Sequence, residues 1–143
     1  MSFQTFRAGL PPPSTAFAIA IGLVDITIFG IAGLANPREF GNAYGLPLGR
    51  EHDNQQDESA QKKGYILALA SRNIQNGVLL LTLGCYLRDR RALGASVAVM
   101  AISAVADAWI VGKFGVKEMV WGHVFGFCTA VGGGGWLLRG LIS

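Results

Sequence analysis

The sequence predicts an all-α integral membrane protein, a bundle of four transmembrane helices with one long loop between the first and the second. Four hydrophobic runs, at residues 15–35, 65–87, 93–111 and 119–138, each come close to the ~20 residues that a helix rising ~1.5 Å per residue needs to cross the hydrocarbon core. The composition agrees: 51% of residues are hydrophobic and 15% charged, and the mean hydropathy of +0.40 lies on the membrane side of a soluble domain. Thirdly, Val78 to Leu83 and Val97 to Ala106 carry no charged face, whereas a water-soluble bundle helix keeps one. The chain of 143 residues therefore reads as a single membrane domain.

Each element follows from its punctuation. Pro11 to Pro13 bars a helix before the first run, with Ser14 or Thr15 as the expected cap. That run is too long for a secretory signal and carries Asp25 at its middle, so it is expected to be a retained helix. Asn36-Pro37 ends it. Residues 36–64 then form the long loop in two halves. Residues 37–48, with Phe40, Tyr44, Leu46 and Leu48 to bury, should make an ordered lid; residues 50–61, with no large apolar side chain, should be mobile. The tight turn Arg88-Asp89-Arg90-Arg91 makes the second and third helices antiparallel neighbours, and residues 112–117 do the same for the third and fourth. On the fourth, Gly122, Gly126, Ala130 and Gly134 form a small-xxx-small stripe, which allows close helix approach within the bundle or in a homodimer. Cys85 and Cys128 fall within helices and read as packing residues.

The informative residues are the polar ones inside the apolar runs: Asp25, Arg72 with Asn73, Asp107, and His123. Alternating helix direction gives each a height. Asp25 falls near the midplane, Arg72 roughly 10 Å below the loop face at helical rise, and Asp107 and His123 about one turn from that face, so all four can meet beneath the long loop. Each charge buried alone would cost roughly 2.5 to 3.5 kcal/mol on insertion scales, so they should face one another or a wet cavity. Arg72 is expected to be the hub, its fork of donors bridging both carboxylates. Arg72, Gln75, Asn76 and Leu79 follow the spacing of one helix face, with Asn73 at its edge.

The strings Tyr44-Gly45-Leu46-Pro47 and Ala70-Ser71-Arg72-Asn73-Ile74-Gln75-Asn76-Gly77, with Asp107 in the third run and Gly122-His123-x-x-Gly126 in the fourth, resemble the small four-helix membrane proteins of the 4267 domain-of-unknown-function family. The likeness covers nearly the whole chain from Phe17 onward. It implies an integral membrane fold and, because some members occur in fungal secondary-metabolite gene clusters, a link to lipophilic natural products. It implies no particular reaction.

Two carboxylates, an arginine, asparagines and a histidine converging in a low-dielectric pocket are the ingredients of general acid–base chemistry. The expected activity is a cofactor-independent membrane enzyme that opens an epoxide, or isomerises or cyclises a lipophilic polyketide or terpenoid. Asp107 would be the acid and Asp25 the base, Asn73 and Asn76 would orient water or a hydroxyl, Arg72 would hold the carboxylates, and His123 would relay a proton. Tyr44, Phe40 and Gln75 are the expected lid and substrate contacts. A competing class is a non-catalytic lipid or small-molecule carrier, or a scaffold subunit, in which the Asp-Arg-Asp network is structural; proton conduction is a third reading, opposed by an arginine at the hub. No second His or Cys gives ligand spacing for a metal, and Gly132 to Gly135 lacks the Lys and Ser or Thr of a phosphate loop. The net charge of +3 is divided between short turns and a solvated loop, which argues against nucleic-acid binding. Arg7, Arg88, Arg90, Arg91 and Arg139 near helix ends favour cytoplasmic termini over Arg38, Arg50, Lys62, Lys63, Lys113 and Lys117, more numerous on the other face but partly spread along a long loop mixed with acids, in the endoplasmic reticulum membrane if the cell is eukaryotic.

Overall fold

The structure, a computed structural model, describes residues 11–48 and 56–139, and these form helices and short connections without a strand. Helix α1 spans Pro13–Ala35. Pro13 sits in its first turn, where a missing N–H leaves no bond unmade. No side chain caps this end. Ser14 and Thr15, expected as caps, are instead buried one step inside, and the Ser14 hydroxyl accepts a hydrogen bond from Arg90 Nη2 at 3.1 Å. From Asp25 to Ile31 α1 widens into a π-helical stretch before resuming as an α-helix. Thr27 lies in that stretch and donates its hydroxyl to the Leu23 carbonyl at 2.7 Å, a bond that competes with the regular ladder.

Helix α2, Pro37–Tyr44, is the ordered half of the expected long loop. Asn36 caps it by accepting from the Glu39 N–H at 3.3 Å, and Pro37 opens its first turn. Gly45, with φ 92°, closes it: the Leu46 N–H bonds to the Gly41 carbonyl at 2.8 Å and the Gly45 N–H to that of Asn42 at 3.2 Å, the arrangement that needs a left-handed residue after the helix. Phe40 is buried against Ile66, Leu69 and Ala70, with Tyr44, Leu46 and Leu48 around it.

The long loop is shorter than the sequence suggests. Helix α3 starts at Gln56, not at residue 65, and runs to Leu81 and on through a second π-helical turn, Thr82–Tyr86. The hydropathy run marks only where α3 becomes apolar; the preceding Gln, Glu, Ala and Lys residues are good helix formers and extend it as a polar stub. Of the stretch expected to be mobile, residues 50–55 lie outside the described residues and residues 56–61 are helical.

Helix α4, Arg90–Phe114, exceeds the predicted 93–111 at both ends, because the Asp89 carboxylate caps it by accepting from the Arg91 and Ala92 N–H groups, both at 3.0 Å. Arg88 makes the turn with φ 51°. A 3₁₀ turn, Lys117–Met119, leads into α5, Val120–Arg139. Among the described residues, three helices are long and apolar enough to cross a membrane: α1, residues Ala60–Tyr86 of α3, and α4. The 20-residue α5 is diluted by its glycines, His123 and Arg139.

The helices pack as two pairs. Helix α1 lies on α3, where a Cβ at Gly22 would come 3.1 Å from the Gly77 carbonyl oxygen, and α4 lies on α5, where a Cβ at Gly134 would come 2.8 Å from the Ala98 backbone nitrogen. By contrast α3 and α4, joined by the tight turn, touch only sparsely. Toward the terminal face the two pairs merge in one apolar core of Ala18, Leu80, Leu83, Leu93, Val97 and Leu137. The small-residue stripe of α5 is divided accordingly. Gly133 and Gly134 pack against Phe17 and Ala98, whereas a Cβ at Gly122 or Gly126 would meet nothing within 4 Å. Cys85 and Cys128 are exposed rather than packed.

Candidate functional site

Toward the loop face the pairs separate around a cavity of about 880 Å³, within the range of sites that hold small molecules. Helix α3 supplies Arg72, Asn73 and Asn76, spaced i, i+1 and i+4 on one face. Asp107 and Ser103, one turn apart on α4, stand opposite; Asp25 enters from the start of the π-helical stretch of α1, His123 from α5, and Phe40 and Tyr44 from α2. The part nearer the terminal face is lined by Phe17, Ile21, Val97 and Met100. The cavity opens between α1 and α5, where the rim residues Val24, Ile28 and Phe125 are 39%, 57% and 74% exposed.

The strongest contact is a two-pronged ion pair. Arg72 Nη1 donates to Asp107 Oδ1 at 3.1 Å and Nη2 to Asp107 Oδ2 at 2.8 Å, the parallel fork that guanidinium and carboxylate geometry favours. Arg72 Nη2 also donates to the Tyr44 hydroxyl oxygen at 3.3 Å. Burial pushes the Tyr44 phenol above its ordinary pKa, and the nearby Asp107 charge adds to this, so the phenol keeps its proton and can donate it to a third group. His123 Nε2 lies 3.1 Å from the Tyr44 backbone carbonyl, and the two rings meet edge to face with centroids 4.6 Å apart. A carbonyl can only accept, so this contact puts the imidazole proton on Nε2. The Val116 N–H holds the next carbonyl, that of Gly45, at 2.8 Å.

Asp25 departs from the expected arrangement. Arg72 does not bridge the two carboxylates: its two Nη groups go to Asp107 and Tyr44, its Nε is buried without a hydrogen-bond partner among the described residues, and Asp25 has no ion pair with it. The Asp25 side chain lines the cavity at 9% exposure, and its Oδ2 is buried without a hydrogen-bond partner. Gln75 is also misplaced by the sequence reading. It is exposed and does not line the cavity, because the inward face of α3 is centred on Asn73, which is buried. Ser103 and Thr129 line the cavity and were missed, as were Glu39 and Glu118 at its loop-face end. Ser103 could have been found from its i−4 position to Asp107; Thr129 has no such signal. Among the described residues no three His, Cys, Asp or Glu side chains cluster closely enough to hold a metal ion.

These features define a helical bundle with membrane-length helices and an open cavity whose largely apolar wall carries a few polar groups. The chain belongs to the family described as Domain of unknown function (DUF4267), whose model matches residues 24–137. That match starts one residue before Asp25 and takes in every polar residue of the cavity wall. No curated protein and no solved structure matches the chain.

Proposed function

We propose that this protein is a four-span membrane enzyme performing cofactor-independent acid–base chemistry, by epoxide opening, isomerisation or cyclisation, on a lipophilic small molecule held in the cavity. The observation that carries the reading is the inequality of the two carboxyls. Asp107 uses both oxygens on Arg72, while Asp25, across the same cavity, has its Oδ2 buried without a hydrogen-bond partner among the described residues. In this geometry the roles expected from sequence shift: Asp25 is the group that exchanges a proton with the bound molecule, and Asp107 fixes the guanidinium. Arg72 and the protonated Tyr44 hydroxyl are the donors for an oxygen that gains negative charge. Asn73 and Asn76 orient a water or an internal hydroxyl, and His123 holds the Tyr44 backbone in place. The fourth span, α5, completes the cavity wall; the arginines beside the helix ends support cytoplasmic termini.

The test is turnover of lipophilic epoxides by membranes containing the protein, with product analysis. Asp25→Asn should stay folded and lose activity by about a hundredfold or more, the usual scale of acid–base catalysis. An Asp25→Asn protein that turns over at the wild-type rate overturns the assignment and favours a carrier or scaffold.

A further inference from the structure

The cavity has two possible ways in, and the structure assigns one of them: we propose that its ligand is an uncharged, hydroxyl-bearing lipophile that enters sideways from the bilayer between α1 and α5. This rests on the reading of the cavity as a substrate site and adds the route and the head-group chemistry.

The loop-face route is narrowed by α2 and flanked by the exposed acids Glu39 and Glu118. Helix α2 lies over that end with Phe40 buried against α3, and it is tied to the opposite helix pair through Tyr44 to His123 and Gly45 to Val116. The sideways route is open and apolar. Helices α1 and α5 touch near the terminal face, where Phe17 meets Gly133 and its ring lies 6.2 Å from that of Trp136. Farther up, Gly122 and Gly126 face empty space, and the rim is made of Val24, Ile28 and Phe125, which suit acyl chains and not water.

The head-group chemistry follows from what the wall lacks. The charge of the one guanidinium lining the cavity is offset by Asp107, which leaves its unpartnered Nε–H to serve a ligand oxygen but no net positive charge to hold an anion, and Asp25, Glu39 and Glu118 repel one. Asp25 is 9% exposed and lines the cavity, and among the described residues its Oδ2 has no hydrogen-bond partner, so it calls for a hydrogen-bond donor. A hydroxyl supplies that donor, and its oxygen can in turn accept from Asn73 or Asn76. The apolar body then lies beside Phe17, Ile21 and Met100.

Photo-crosslinking of the full chain in nanodiscs tests this, using three diazirine probes of identical apolar body ending in a hydroxyl, a methyl ether or a carboxylate. Mass spectrometry locates the adducts. The hydroxyl probe should label cavity-lining positions at least about tenfold more than either of the others, a ratio equal to ~1.4 kcal/mol. Asp25→Asn should shrink the advantage over the ether several-fold, and Asp25→Glu should restore it. Gly126→Phe should abolish cavity labelling by all three. Gly132→Phe is the control on the same helix: Gly132 also has nothing within 4 Å of an added Cβ but does not line the cavity, so labelling should persist. Equal labelling by hydroxyl and ether, or a stronger carboxylate signal, overturns the head-group assignment. Unchanged labelling in Gly126→Phe overturns the route, and adducts confined to outward-facing positions mean that only bilayer chains occupy the groove. Selective hydroxyl labelling without any turnover would sink the catalytic reading and leave this one standing. Asp25-dependent turnover that is blind to Gly126→Phe would do the reverse.

Discussion

The two ends of the bundle solve the same problem, joining the α1–α3 pair to the α4–α5 pair, by opposite means. Toward the terminal face the join is apolar: Ala18, Leu80, Leu93 and Leu137, one from each of the four long helices, are fully buried in one cluster. Toward the loop face it is polar and hollow, made of the Arg72–Asp107 pair and the two backbone carbonyls of α2 that His123 and Val116 hold. The apolar end gains stability from close van der Waals packing and needs little angular precision. The polar end depends on a few directional contacts, and in exchange it leaves space. Helix α5 shows both uses of the smallest residue within five turns. Gly134 lets a neighbouring backbone approach, and Gly126 keeps one away.

The comparison can be broken most forcefully at the polar end. Arg72→Leu leaves Asp107 buried without its counter-charge and should cost about 3 to 5 kcal/mol, the range for removing one partner of a buried pair. Thermal unfolding in detergent would read it, and Arg72→Lys should recover part of the loss while forfeiting the two-pronged geometry. Little or no shift would mean that the apolar end alone holds the pairs together. At that end Leu80→Ala, at a position with 0% exposure, should cost about 2 to 5 kcal/mol through lost contacts and a cavity. Cavity labelling by the hydroxyl probe should survive it, since Leu80 does not itself line the cavity.

Smaller changes sharpen the contrast. Gly134→Ala drives a Cβ into the Ala98 backbone and should destabilise by about 1 to 3 kcal/mol. Gly126→Ala enters open space and should be neutral or stabilising by up to about 1 kcal/mol, through helix propensity. Equal effects of the two alanines would refute the division of the glycine stripe. Tyr44→Phe removes only the hydroxyl bonded to Arg72 and leaves the carbonyl contact with His123, so about 0.5 to 1.5 kcal/mol is expected.

Much of this was legible in the sequence for a plain reason: polar side chains are scarce in apolar helices, so Asp25, Arg72, Asn73, Asp107 and His123 announce themselves, and counting residues from helix ends gives their heights. The pairing was not legible. Height does not fix the rotation of each helix, so Arg72 was assigned both carboxylates when it reaches one. The error at Gln75 has the same origin, since residues 72, 75, 76 and 79 lie on one face by spacing as well as do 72, 73 and 76, and only the position of the neighbours decides between them. The polar start of α3 was lost because hydropathy marks where a helix enters lipid rather than where it begins. The π-helical stretches leave no mark in hydropathy either.

Those stretches bear on how thick a membrane the protein fits. At an α-helical rise of ~1.5 Å per residue, the 23 residues of α1 would climb about 35 Å and the 27 residues of Ala60–Tyr86 about 40 Å. A hydrocarbon core is about 30 Å thick. Helices with such excess usually tilt or stretch the bilayer around them. A π-helical turn bonds i to i+5 and so winds more residues into the same height. With seven residues of α1 and five at the end of α3 coiled this way, part of the surplus length is taken up inside the helices, and the bundle demands less adjustment from the lipid than its residue count implies.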